Sequence, residues 1–249
     1  MSQQIFGTKQ SHSTMKADRL SASAVVARWR PTRLDLTISL AVAPLLPLIA
    51  GFLYRRTGAL IPMVLYYGLA WALVMWRRGS SGYGNPRPAK ITGYFYLNVF
   101  VIIACLVSAY LARIRYPAGD ATGILVTALV WAPINAASEQ LLWIYLFESW
   151  DLYPEKPSPA FRFVGLLLFL VFVGLIHALF WARFLTTVDP SGVLGAVFIV
   201  LTSLSGFLHL VVWRKSNHMI LTFIPHFMLN LIPLFWTGYS MLPYLLKTG

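Results

Sequence analysis

Long uninterrupted apolar runs constrain this chain more than any other feature. Seven stretches of roughly 20 residues each carry almost no charge, and that length matches an α-helix crossing the hydrocarbon core of a bilayer. They fall at about 35–54, 58–76, 92–112, 123–148, 161–182, 191–213 and 218–236. Ten-residue segments of alternating hydropathy are absent, which argues against a β-barrel. The expected fold is therefore an all-α membrane protein, a bundle of about seven transmembrane helices. Residues 237–249 would add an eighth only if "TGYSMLPYLLKTG" inserted. Pro44 and Pro47 in the first run, and Pro62 in the second, predict kinks that neighbouring helices can accommodate.

Composition agrees: the 249 residues are 58% hydrophobic and 11% charged, whereas soluble domains carry about 25% charged residues. The net charge of +12 would suggest nucleic acid in a soluble protein. Here the cations occupy tails and loops, so membrane lipid is the expected partner and nucleic acid is not. If even-numbered loops share a side with the N-terminus, that side holds fourteen Lys and Arg and the other six. The positive-inside rule then places the N-terminus in the cytoplasm. Residues 1–34 lack a signal-peptide pattern and read as a flexible, basic cytoplasmic tail. Residues 35–249 form the transmembrane domain, with a prokaryotic inner membrane as the expected location. Tryptophans such as Trp76, Trp150 and Trp213 fall at span ends, as an interfacial belt requires. Cys105 is alone and forms no internal disulfide.

Inside this apolar frame one carboxylate is out of place. Seven of the eight acidic residues fall in tails, loops or span ends, while Glu139 lies well within the fourth run. Insertion scales put a charge there at about 2.5–3.5 kcal/mol, so such a residue is functional by default. Asn135 is four residues earlier, on the same helix face. His177 lies in the fifth run. His226 and Asn230 share a face of the seventh, which extends back through Thr222 to His218. Polar stripes turn inward in a bundle, so Glu139, His177, His226 and Asn230 are expected to converge from three helices. A buried glutamate can serve as general base for water, a histidine can assist it, and imidazole and amide N–H groups can stabilise an oxyanion. Zinc is an alternative, with Glu139, His177 and His226 as its ligands; spacing does not decide between the two. A proton relay could use the same groups, but no inverted repeat supports a transporter. His209 and Asn98 read as structural.

With these residues in place, the chain resembles the CAAX protease and bacteriocin-processing (CPBP) family of intramembrane proteases over about residues 123–235. Its three helical motifs correspond to "APINAASEQLLWIYLF", "VGLIHALFW" and "GFLHLVVWRKSNHMILTFIPHFMLN". The resemblance implies an endopeptidase acting on a membrane-embedded or lipid-anchored substrate. Glu139 would activate water with help from His177, and His226 and Asn230 would stabilise the oxyanion, with no cofactor required. Three motif positions differ: Gln140 replaces a second glutamate, Ile144 an arginine and Val173 a phenylalanine. Those differences leave a non-catalytic scaffold or immunity-type binding protein as the alternative.

Overall fold

The computed structural model describes residues 29–85, 88–117 and 120–247. The tail assigned to 1–34 falls mostly outside them, and residues 31–247 belong to one compact unit. Seven helices in it are long and apolar enough to cross a membrane: α1 (Arg33–Thr57), α2 (Leu60–Arg78), α3 (Gly93–Leu111), α4 (Ala121–Asp151), α5 (Pro159–Arg183), α6 (Val193–Ser216) and α7 (Ile220–Thr237). This is an all-α bundle of an integral membrane protein. A four-residue helix, α8 (Leu242–Leu245), follows, so residues 237–247 add no eighth span. Its neighbourhood caps the end of α1: Lys247 N–H donates to Thr57, and Ala59 N–H to Tyr244.

Pro44 and Pro47 sit inside the uninterrupted α1. Pro62 lies in the first turn of α2, where its missing N–H has no intrahelical partner to lose.

The centre of the bundle is α4, which packs on α1, α2, α5, α6 and α7. Every residue from Ser138 to Ser149 is buried, because neighbouring helices surround this part of α4. Its 31 residues include a π-helical turn, Thr127–Trp131, separated from Pro133 only by Ala132. Glu139 lies about 18 Å along the helix from Asp151, near mid-membrane depth. Helix α3 stands outside this arrangement, packed mainly on α6 and also on α7.

At the Asp151 end of α4, carboxylates and guanidinium groups tie five helices together. Asp35 accepts from both Nε and Nη2 of Arg77, each at 2.8 Å, and from the Tyr145 hydroxyl at 2.9 Å. It also reaches back to the Thr32 N–H at 2.7 Å, as a residue in a helix first turn does in a capping box. Glu148 pairs with Arg78 at 3.1 Å, and Asp151 with Arg162 and Arg214 at 2.8 Å. These span-end acids are thus buried and paired. Trp213, expected in an interfacial belt, is buried instead and donates to Glu148 at 2.9 Å. Trp76 fits the belt at 66% exposed, while Trp150 is half-buried and donates to Ser39 at 2.8 Å. A burial preference for Trp213 is invisible without knowing that a carboxylate waits across the helix interface.

Candidate active site

Glu139 is 2% exposed, and donors converge on it from several elements. On its own helix, the Asn135 amide donates to Oε2 at 3.2 Å, the four-residue spacing doing what the sequence suggested. The Tyr67 hydroxyl of α2 donates to Asn135 Oδ1 at 2.8 Å, which turns the amide nitrogen toward the carboxylate. From α7, His226 Nε2 lies 3.5 Å from Oε2. The imidazole is stacked on Trp143, with centroids 5.1 Å apart and planes 20° from parallel. From the 3₁₀ turn that ends α5, Trp181 Nε1 donates to Oε1 at 2.8 Å.

The other expected site residues fall at different distances. Asn230, one turn beyond His226, has a buried Nδ2 with no protein partner among the described residues, as does Nδ1 of His226. Both are therefore available to a further acceptor. His177 forms neither hydrogen bond nor ion pair with Glu139. It is exposed, and its Nδ1 is 2.8 Å from the Val173 carbonyl of its own helix. His209 is buried as a structural residue, with Nδ1 2.6 Å from the Ser205 carbonyl. It nevertheless reaches the site's edge, its ring 5.6 Å from that of His226. Asn98 accepts from the Ser205 hydroxyl at 3.0 Å and has no contact with Glu139.

Two of the divergent motif positions have clear environments. Ile144 is fully buried, where an arginine would need an acidic partner. Gln140 donates to the Ala136 carbonyl at 2.5 Å and to the Tyr83 hydroxyl at 3.4 Å. Tyr83 comes from the loop between α2 and α3 and in turn donates to Ala137 at 2.9 Å. It stacks on Trp71 and sets its edge to Phe223, so it wedges between α2, α4 and α7. Burial pushes its hydroxyl above the ordinary range, which keeps it protonated and able to donate at neutral pH.

Among the described residues, no three His, Cys, Asp or Glu side chains converge as metal ligands. Glu139 and His226 touch, but the third ligand of the expected zinc set, His177, is turned away. The donors around Glu139 suit a carboxylate held by hydrogen bonds.

Sequence reasoning missed the aromatic members of the site. Trp143, Trp181 and Tyr67 were indistinguishable from residues facing lipid. The one available signal for Trp181 was its position four residues after His177, beside a helix end.

No protein-family model, curated protein or solved structure matches this chain.

Proposed function

We propose that the protein is an intramembrane endopeptidase of the kind its motifs resemble, hydrolysing a peptide bond in a membrane-embedded or lipid-anchored substrate. The observation that carries this reading is the 3.5 Å approach of His226 Nε2 to Glu139 Oε2, in a buried layer between two helices. Glu139 takes a proton from water as the resulting hydroxide attacks the scissile carbonyl carbon. The oxyanion accepts hydrogen bonds from Asn230 Nδ2 and from a protonated Nδ1 of His226, both unpartnered among the described residues. Collapse of the intermediate breaks the C–N bond, and Glu139 returns the proton to the leaving amine. His177 is the member that geometry supports least, and it can join the carboxylate only after its side chain turns inward. The distribution of Lys and Arg supports a cytoplasmic N-terminus, and a prokaryotic inner membrane is the location that goes with this reading.

The experiment is incubation of purified protein in liposomes with a lipopeptide library, in water enriched in ¹⁸O. Hydrolysis yields peptides whose new carboxyl terminus carries ¹⁸O with wild type and not with Glu139→Ala. Equal labelling by both sinks the reading.

A second reading, a non-catalytic membrane scaffold or immunity-type protein, is favoured by the closure of the site: both carboxylate oxygens already have protein partners. It requires Glu139→Gln to leave the cellular phenotype intact.

A further inference from the structure

The segment "HALFW" places His177 and Trp181 four residues apart, and in an unbroken helix they would share a face. The regular helix ends at Leu179. Phe180 leaves helical geometry at φ −123° and ψ −69°, and a 3₁₀ turn, Trp181–Arg183, follows. This break separates the two side chains. His177 stays on the exposed face, while Trp181 is 3% exposed and turned toward α4.

The Trp181 ring is held on several sides. It stacks on Tyr67 at 6.5 Å and 24°, and meets Trp131 edge-on at 5.9 Å. Phe180 and Phe184 lie at 4.6 and 5.6 Å. A ring so confined has little freedom to rotate, and its indole N–H can donate but never accept. The 2.8 Å bond to Glu139 Oε1 therefore has one polarity and one direction. Its counterpart on Oε2, the Asn135 amide, is oriented in turn by Tyr67, the residue on which Trp181 stacks.

We propose that Trp181 is the positioning residue of this site: its indole N–H anchors Oε1 of Glu139 and thereby leaves Oε2 aimed at His226. Glutamate has three side-chain torsions, and anchoring one oxygen arrests the last of them. The consequence for turnover rests on the hydrolase reading above, whereas the positioning contact does not.

The test uses the full chain in lipid nanodiscs with ¹⁵N-labelled tryptophan and histidine. The Trp181 indole resonance is assigned from its loss in Trp181→Phe. A carboxylate acceptor bonds more strongly than an amide, so Glu139→Gln shifts that resonance more than any other tryptophan's. Trp181→Phe, which keeps the aromatic bulk, moves the ring-nitrogen shifts of His226. Unchanged shifts in either experiment overturn the proposal, since a purely packing role would leave both in place. With a lipopeptide cut by wild type, Trp181→Phe lowers kcat about 100-fold and leaves KM within about twofold; an unchanged kcat overturns the assignment. Benzothienylalanine at position 181, which replaces only the N–H, reproduces the loss and serves if the phenylalanine variant fails to fold. If wild type cuts nothing, the hydrolase reading fails, and the resonance experiments alone decide whether Trp181 orients Glu139.

Discussion

His226 Nε2 lies 3.5 Å from Glu139 Oε2, and Trp143 covers one face of the imidazole. A carboxylate and an imidazole brought this close at mid-membrane depth constitute a reactive pair or a costly structural one.

Asn230 is expected to act in the transition state alone, because its Nδ2 has no hydrogen-bond partner among the described residues. Asn230→Ala should lower kcat by about 100- to 1,000-fold. KM and the thermal midpoint should change little. Steady-state kinetics on a cleaved lipopeptide, beside a thermal melt in detergent, check this.

Asp35 is fully buried and accepts from Arg77, Tyr145 and Thr32. Asp35→Ala leaves the half-buried Arg77 guanidinium without its carboxylate. The cost should fall below that of breaking a fully buried pair, about 3–5 kcal/mol, because Arg77 can still reach water. Removing both partners, Asp35→Ala with Arg77→Leu, should cost less than the single change. Unfolding in mixed micelles measures the difference.

Gly82 has φ +80°, and a Cβ there would lie 2.6 Å from the Trp213 ring. Trp213 is itself fixed by its bond to Glu148, so it has little room to yield. Gly82→Ala should destabilise by about 1–3 kcal/mol and loosen the loop that carries Tyr83. Gly84→Ala, where a Cβ meets nothing within 4 Å, should be neutral. Proteolytic sensitivity of the 80–85 loop reads out the contrast.

Asp120 lies just outside α4, and its carboxyl is held below the usual range by the Ser240 hydroxyl and then by the Gly123 N–H. A depressed folded-state pKa contributes stability above the unfolded value of about 4, and that contribution is lost as pH falls through the folded-state value. Asp120→Asn should therefore flatten the fall in thermal midpoint below about pH 4. It should change the acid-side slope rather than the profile near neutrality. Melts between acid and neutral pH, compared with wild type, test it.

Much of this architecture was legible from hydropathy. The seven spans appear with shifts of only a few residues at their ends, because bilayer thickness sets their length. The Asn135–Glu139 bond and the meeting of Glu139 with His226 followed from two rules: helix periodicity, and the high cost of polar groups in lipid. His177 did not follow them: it lies on the exposed face of α5, three residues before the helix breaks at Phe180 with neither proline nor glycine to announce it. The same break delivers Trp181. Tryptophan suits an interface, a core or a donor role equally, so its place in the site depends on neighbours that only the folded chain supplies. The buried pairing of Glu148 with Arg78 and Trp213 was hidden for a similar reason: each partner alone looked like a span-end residue.

The most direct measurement compares lipopeptide hydrolysis by wild type and by Glu139→Gln, at equal amounts of folded protein in liposomes. Glutamine keeps the shape of the side chain and removes its capacity as a base. Product formation by wild type and its loss in Glu139→Gln is the predicted result. Equal hydrolysis by the two proteins, or none by wild type, would contradict a peptidase centred on Glu139.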